Sequence, residues 1–196
     1  MKKLTIPEMN RLTPEQFHAA TKLPFVVVLD NVRSVHNVGA VFRTADAFLI
    51  EAVYLCGISC CPPNVEMHKT ALGAELTVDW RHFDSTLDAV QDLKQRGYRV
   101  YAVEQAHDSQ TLKEVLPTLF PYSSTPLPLS SPSGGGREGA PIAVILGHEV
   151  FGVQQEVVDA CDGCIEIKQY GTKHSLNVSV TAGIVMHEIA IWMRNE

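Results

Sequence analysis

The 196-residue sequence has no apolar stretch approaching the ~20 residues that a membrane-spanning helix needs, so no membrane partner is predicted. Its first residues lack the continuous apolar segment of a secretory signal, and a cytoplasmic location is expected. There is no Gly-x-Gly-x-x-Gly motif, which argues against the ordinary dinucleotide-binding fold. No internal repeat is visible, which argues against solenoids and propellers.

An excess of positive charge is also missing, because the formal net charge is −6. This balance argues against strong nonspecific binding to nucleic acid, although it leaves room for a local basic face. The five cysteines are an odd number, and free thiols are expected in a cytoplasmic protein. Cys161 and Cys164 form a C-x-x-C pair that, with Cys60 and Cys61, would supply four zinc ligands. One such pair is a weak signal, buried thiols at strand ends are the stronger interpretation, and no metal site is predicted.

Hydrophobic residues make up 45% of the sequence, which suits a compact core, and we expect one domain spanning residues 1–196. Residues 1–22 are predicted to form an N-terminal extension with a short helix that begins at Thr13-Pro14. The Pro/Ser/Gly-rich tract at 121–140 is predicted to be a mobile surface insertion, because its composition cannot build a core.

Apolar runs of strand length alternate with amphipathic segments along the chain. The predicted strands are Phe25–Leu29, Ala52–Cys56, Leu76–Val78, Tyr98–Val103, Pro141–Leu146 and a short strand from Ile165. The predicted helices are Val38 to Leu49, Ser85 to Arg96 with Asp84 as a cap, Val153 to Ala160, and the apolar run from Leu176. Continuous apolar strands are typical of sheets buried on both faces, so the pattern predicts an α/β fold with a mostly parallel sheet flanked by helices.

The polar loop after the first strand leads into a helix with Asn37 as its predicted N-cap. Gly39 and Arg43 are four residues apart and share a face of that helix. Because helical side chains lean towards the N-terminus, Arg43 is expected to lie back across Gly39 towards Asn37. The structural alternative is an N-cap, a close-packing glycine and a solvated arginine.

The strand ending at Leu146 is followed by a Gly-His-Glu-Val-Phe-Gly loop that begins at Gly147. Gly147 is expected to let the backbone approach a flat ligand closely. Glu149 comes just past the carboxyl edge of the sheet, where α/β proteins bind ligands. The structural alternative for Glu149 is to stabilise the N-terminus of the next helix.

The segment Ile165–His187 combines a short strand, a polar loop and an apolar helix. Gly171 suits a tight turn, and Ser175 and Asn177 are both good N-cap residues. The segment resembles the third motif of the SpoU (TrmH-like) branch of the SPOUT RNA methyltransferases, and the two loops described above resemble the first and second motifs. The matching residues of the third motif are Ile167, Gly171, Ser175, Leu176, Asn177, Val178 and Ser179, whereas Lys168 and Gln169 replace the usual Pro-Met.

The resemblance implies a deep trefoil knot in the C-terminal part and S-adenosylmethionine-dependent methylation of a ribose 2′-hydroxyl in RNA. The cofactor-binding residues that it implies are Leu146, Gly147, Ile167, Ser175, Leu176 and Asn177. The catalytic residues that it implies are Arg43, Asn37, Glu149, Ser175 and Asn177, and the predicted RNA contacts are Arg33, Lys69 and Lys173. A guanidinium with a pKa above ~12 is a poor base, so Arg43 either orients the ribose while an RNA phosphate takes the proton or stabilises the developing alkoxide as a fixed cation.

The resemblance also implies a homodimer in which Arg43 of one subunit approaches the cofactor of the other. The final helix supports a dimer, because its apolar residues cover more faces than one short domain is expected to bury. These residues are Val178, Ile184, Val185, Ile189 and Trp192.

The first strand begins near residue 25, which leaves no room for a separate RNA-binding domain ahead of it and favours tRNA over rRNA. The alternative function is a knotted RNA-binding or assembly factor without transfer activity.

Overall fold

The computed structural model describes residues 1–5, 7–120 and 139–194, so the predicted insertion at 121–140 lies outside the described residues except for its last two positions. The strands are β1 Leu23–Asp30, β2 Ile50–Cys56, β3 Asp79–Phe83, β4 Arg99–Val103, β5 Gln110–Thr111, β6 Ile142–Leu146 and β7 Gly163–Glu166. The α-helices are α1 Pro14–Ala19, α2 Val35–Ala47, α3 Val65–Ala71, α4 Thr86–Gln95, α5 Leu112–Leu119, α6 Gln155–Ala160 and α7 Val178–Arg194. Short 3-10 helices span Pro7–Met9 and Ala74–Leu76.

The seven strands form one parallel sheet in the order β3-β2-β1-β6-β4-β7-β5. This order confirms the predicted α/β class with a parallel sheet. β6 is the central strand, and its neighbour β1 pairs with both β2 and β6, so that Val27 stands opposite both Val53 and Val144. The trefoil knot implied by the resemblance stays a prediction.

Alternate side chains of β1 enter two apolar cores on opposite faces of the sheet, because successive side chains of a strand point to opposite sides. Phe25, Val27 and Leu29 pack into the core that also contains residues of α2, α3, α5 and α7. Val26 and Val28 pack into the core that contains residues of α4 and α6. Helices therefore cover both faces, and the carboxyl ends of the strands are left to the loops.

The N-terminal extension contains the predicted helix. Thr13 and Gln16 form a capping box at the start of α1, and Phe17 is buried in the core of the sheet. In the part of the chain that the structure describes, no helix has both the length and the apolar character needed to cross a membrane.

Two elements at the edges of the sheet differ from the prediction. The third strand is β3, Asp79–Phe83, and not Leu76–Val78. As an edge strand with exposed side chains it carries no apolar run, so sequence periodicity could not detect it. The two-residue strand β5 at the other edge was not predicted, because two residues are too short to show a period, and the following helix α5 was not predicted either.

Two predicted helix caps are also wrong. Ser34 and not Asn37 is the N-cap of α2, because its hydroxyl accepts a hydrogen bond from the Asn37 N–H at 3.3 Å. Ser85 and not Asp84 caps α4 by accepting from the Leu87 N–H at 3.2 Å. Both predictions missed by one to three residues, since several polar residues near each boundary are acceptable caps.

Gly39 has a different role from the one predicted. A Cβ added at this position would overlap the Thr70 side chain and the Met67 carbonyl oxygen, so Gly39 is where α3 packs closely on α2. The expected path of Arg43 across Gly39 is therefore wrong, because α3 occupies that space.

Candidate functional site

A cleft of about 1170 Å³ opens at the carboxyl edge of the sheet, where β4, β6 and β7 end. Because these strands are parallel neighbours, the loops that follow them meet at this edge. The loop after β4 starts at Glu104, the loop after β6 runs from Gly147 to Val153, and the loop after β7 runs from Ile167 to Asn177.

All six predicted cofactor-binding residues line this cleft. Leu146, Ile167 and Leu176 contribute an apolar wall, and residues of the loops after β6 and β7 line the same space. Much of the remaining lining is polar, including Gln169, Asn177 and Thr181. A cleft that combines an apolar wall with convergent polar groups suits a small organic ligand such as a nucleoside derivative. The lining therefore fits S-adenosylmethionine, whose adenine needs an apolar surface with amides and carbonyls at its edge.

The loop after β6 is folded tightly on itself. His148 and Gly152 exchange two backbone hydrogen bonds of 3.1 and 2.9 Å, and Gly152 has a φ of +69°. A Cβ on Gly147 would overlap the backbone of Gly152 and Val153. Gly147 is therefore required by the loop's own packing, and its predicted close approach to a flat ligand stays a prediction.

Glu149 joins the second motif to the first. Its carboxylate accepts hydrogen bonds from the N–H groups of Arg33 and Ser34 at 3.0 and 2.9 Å, and from the Asn37 amide nitrogen at 3.0 Å. Burial tends to raise the pKa of this carboxyl group, but the hydrogen bonds from Ser34, its own N–H, Asn37 and Arg33 outweigh it and lower the pKa. Glu149 does not cap the next helix, because α6 begins at Gln155 and its N-cap residue is Gln154. Glu149 binds the start of α2 instead.

Asn37 and Asn177 extend this network to the third motif. The Asn177 amide donates to the Asn37 side-chain oxygen at 3.2 Å. The Asn177 oxygen accepts from the Ser179 N–H at 2.9 Å and the Ser179 hydroxyl at 2.6 Å, so Asn177 caps the start of α7. Ser175, the other predicted cap, is exposed on the cleft wall and has no such role. Glu149, Asn37 and Asn177 thus fix three segments of the chain against one another.

Arg43 lies outside this network. Its side chain is exposed, it does not line the cleft, and it makes no hydrogen bond or ion pair with any residue that the structure describes. Asn37 and Arg43 are six residues apart on α2, which corresponds to about 9 Å along the axis and about 120° around it. Within one chain, Glu149, Asn37 and Asn177 therefore position the loops, and none of them contacts Arg43.

The three predicted RNA contacts are all exposed but are not equivalent. The Lys69 ammonium forms an ion pair with Glu66 at 2.7 Å. Arg33 and Lys173 make no ion pair with any described residue. Lys173 lies on the loop beside the cleft, and Arg33 precedes α2.

Sequence reasoning missed Glu104 and Gln105, which line the cleft from the end of β4. The Gln105 side-chain nitrogen donates to the His174 carbonyl oxygen at 2.7 Å. A Glu104 carboxylate oxygen accepts from the Val153 N–H at 3.2 Å. The available signal was a pair of polar residues directly after a buried strand of a parallel sheet, which is where ligand sites form.

The cysteines do not come together as a zinc site. All five are free, and the pairs Cys60/Cys61 and Cys161/Cys164 pack against different cores on opposite faces of the sheet. Burial raises the pKa of the Cys161 thiol to about 12, so it remains protonated at neutral pH. Within residues 1–5, 7–120 and 139–194, no group of three or more His, Cys, Asp and Glu side chains could hold a metal ion.

Comparison with known proteins agrees with this geometry. Residues 24–187 match the SpoU rRNA methylase family. The tRNA (guanosine(18)-2′-O)-methyltransferase of Thermus thermophilus is 30% identical over 181 residues, which are 92% of this chain and 81% of that protein. The TrmH/SpoU tRNA-modifying enzyme of A. aeolicus superposes with a TM-score of 0.72 at 25% identity, covering 93% of this chain and 81% of that one. The AdoMet-bound rRNA methyltransferase of Sinorhizobium meliloti has the same fold, with a TM-score of 0.67 at 23% identity over 88% of this chain and 60% of that one.

Proposed function

Since this chain belongs to the SpoU methylase family, we propose that it methylates a ribose 2′-hydroxyl of tRNA, as a homodimer whose sites are completed across the interface. S-adenosylmethionine supplies the methyl group in this family, and the protein is an RNA ribose 2′-O-methyltransferase. The observation that carries the proposal is the hydrogen-bonded link of Glu149, Asn37 and Asn177, which holds the motif loops around the cleft.

The preference for tRNA rests on the extent of the match. The chain covers 81% of the length of the Thermus and A. aeolicus tRNA enzymes but 60% of the S. meliloti rRNA enzyme. The direct experiment is mass-spectrometric mapping of ribose methylation in total tRNA and rRNA after incubation with the protein and S-adenosylmethionine. One modified tRNA position supports the proposal. Methylation confined to rRNA would contradict it, and saturable RNA binding without any methylation would favour the alternative of a binding or assembly factor.

We assign different residues of this chain to binding the cofactor and to binding the RNA. Leu146, Ile167 and Leu176 would hold the cofactor in the cleft, and Asn177 fixes the end of the last loop to the start of α7 through its hydrogen bond from the Ser179 N–H. Arg43 carries its five N–H donors into solvent with no partner among the described residues, so they are free to bind a ribose oxygen and a phosphate together. Much of the acceleration would come from aligning the hydroxyl with the methyl group.

The position of Arg43 supports a site shared between subunits, because within one chain it does not line the cleft. The apolar surface that would form the interface is smaller than predicted. Val178, Val185 and Ile189 are buried within the chain, whereas Val180 and Ile184, four residues apart on one face of α7, are 51% and 37% exposed.

Light scattering is expected to give twice the 21.6 kDa mass of one chain. Val180→Asp combined with Ile184→Asp should yield monomers without methyl transfer, since burying two carboxylates in an apolar contact is costly. Ile58→Asp, an exposed isoleucine in the loop after β2, is the matched control and should leave the dimer intact. A fully active monomer at assay concentration would rule out the shared site.

The RNA contacts can be ranked by their charge partners. Arg33→Ala and Lys173→Ala are each expected to reduce the salt slope of tRNA binding by about 1, which is the loss of one phosphate contact. Lys69→Ala should change the slope less, because Glu66 already neutralises that ammonium. Fluorescence anisotropy with labelled tRNA over a range of KCl concentrations measures the slopes. An equal effect of Lys69→Ala would show that the ion pair opens on RNA binding.

A further inference from the structure

The cofactor loop at 168–176 makes few hydrogen bonds to the rest of the described chain. Its residues are mostly exposed, including Tyr170 and Lys173. Among the residues that the structure describes, the one hydrogen bond that ties this stretch to the rest of the chain runs from the Gln105 side-chain nitrogen to the His174 carbonyl oxygen, at 2.7 Å. The next anchor is Asn177, at the start of α7.

The bond is made at a position that affects the cleft directly. His174, Ser175 and Leu176 are consecutive and all line it, as does Gln105 itself. A shift of the His174 carbonyl would therefore move the backbone of Ser175 and Leu176, which are predicted to contact the cofactor. Gln105 thus bridges two walls of the cleft.

The backbone of Gln105 is itself fixed by Glu104. One carboxylate oxygen of Glu104 accepts from the Gln105 N–H at 2.9 Å, and the other accepts from the Val153 N–H at 3.2 Å. The Glu104 N–H donates to the Ile165 carbonyl oxygen at 3.0 Å. Gly152 lies so close that a Cβ there would overlap the Glu104 carboxylate. Glu104 and Gln105 therefore contact both cofactor loops, the one after β6 and the one after β7.

We propose that Gln105 is a positioning residue for the cofactor: its hydrogen bond to His174 holds the loop at 168–176 closed over S-adenosylmethionine. The inference rests on the proposed function. Gln105 acts through the loop and not on the reacting atoms. Because a single hydrogen bond closes the loop, its loss should accelerate cofactor release and leave the fold unchanged.

The experiment compares Gln105→Ala and Gln105→Glu with Gln95→Ala. Gln105→Glu keeps the size of the side chain but replaces the donor with an oxygen that repels the His174 carbonyl. Gln95 is another exposed glutamine, at the end of α4 and away from the cleft, and serves as the control. Calorimetry with S-adenosylmethionine gives the dissociation constant, thermal melting gives stability, and hydrogen exchange of the cofactor-free protein reports on the loop.

Gln105→Ala is expected to weaken S-adenosylmethionine binding about threefold to tenfold, the effect of one hydrogen bond. Gln105→Glu should weaken it at least as much, and Gln95→Ala should have no effect. In both Gln105 variants the amides of residues 169–176 should exchange faster while those of β6 and β7 do not change, and the melting temperature should match that of the wild type.

Wild-type affinity and wild-type loop exchange in Gln105→Glu would overturn the inference. A lower melting temperature in the Gln105 variants, with faster amide exchange across the whole sheet, would also overturn it, because that result would show a purely structural role for Gln105. If the wild-type protein bound no S-adenosylmethionine, the proposed function would fail, and the exchange of residues 169–176 would still show whether Gln105 holds the loop.

Discussion

Replacing Arg43 with alanine is expected to reduce single-turnover methyl transfer by about 10²–10³-fold while S-adenosylmethionine still binds. Arg43 is exposed on α2 and does not line the cleft of its own chain, so its removal leaves the cofactor loops and both cores in place. Arg43→Lys should fail nearly as badly, because lysine keeps the charge but loses the planar fork that can hold a phosphate and a ribose oxygen together. Single-turnover rates at saturating tRNA, beside calorimetric cofactor affinities, measure both effects.

Complementation between two inactive variants tests whether Arg43 acts on the site of the partner. Leu176→Glu places a charge on the apolar wall of the cleft and should abolish cofactor binding. In a mixed dimer of Arg43→Ala with Leu176→Glu, one site would combine an intact cleft with an intact Arg43 from the opposite subunit. Mixing is then expected to restore about half of the activity per mixed dimer.

Three outcomes would contradict the proposed role of Arg43. Near-normal single-turnover transfer by Arg43→Ala would show that it is not the catalytic residue. A joint loss of cofactor affinity and thermal stability would show a structural tie and not a chemical role. Absence of complementation, with both parent variants folded and dimeric, would place the whole site within one chain.

Glu149→Ala is expected to destabilise the protein by about 1–3 kcal/mol and to weaken cofactor binding, because it leaves several donors without their acceptor. These donors are the N–H groups of Arg33 and Ser34 and the amide of Asn37. For a chain of this length the loss corresponds to a decrease of roughly 2–12 °C in melting temperature. Glu156→Ala, an exposed glutamate on α6, is the matched control and should melt like the wild type.

The pH dependence of this effect has a defined sign. Hydrogen bonds lower the pKa of Glu149 in the folded protein below its value in the unfolded chain. Its contribution to stability is therefore complete above the ordinary carboxyl pKa and disappears as the pH falls through the lowered pKa of the folded state. The melting difference between wild type and Glu149→Ala should shrink over that acidic range. A difference independent of pH would show that the carboxylate charge has no part in the network.

The class of fold could be predicted because its signals are local. Buried parallel strands need apolar side chains on both faces, so β1, β2, β4 and β6 appear in the sequence as short continuous apolar runs. The edge strands β3 and β5 were misplaced or missed, because exposed or very short strands need no such run. The cap of α2 was misplaced because cap preference alone does not distinguish Ser34 from Asn37.

The sequence by itself determined the α/β sheet and the two loops, after β6 and β7, that contribute the six predicted lining residues of the cleft, since each loop is a continuous segment whose strand, glycine and helix start are neighbours in the chain. Only the tertiary structure decided what holds those loops. Glu149 meets Ser34 across 115 positions, Asn177 meets Asn37 across 140, and Gln105 meets His174 across 69. Such hydrogen bonds depend on which strands become neighbours in the sheet, and strand order is set by the packing of the whole chain and not by any local pattern.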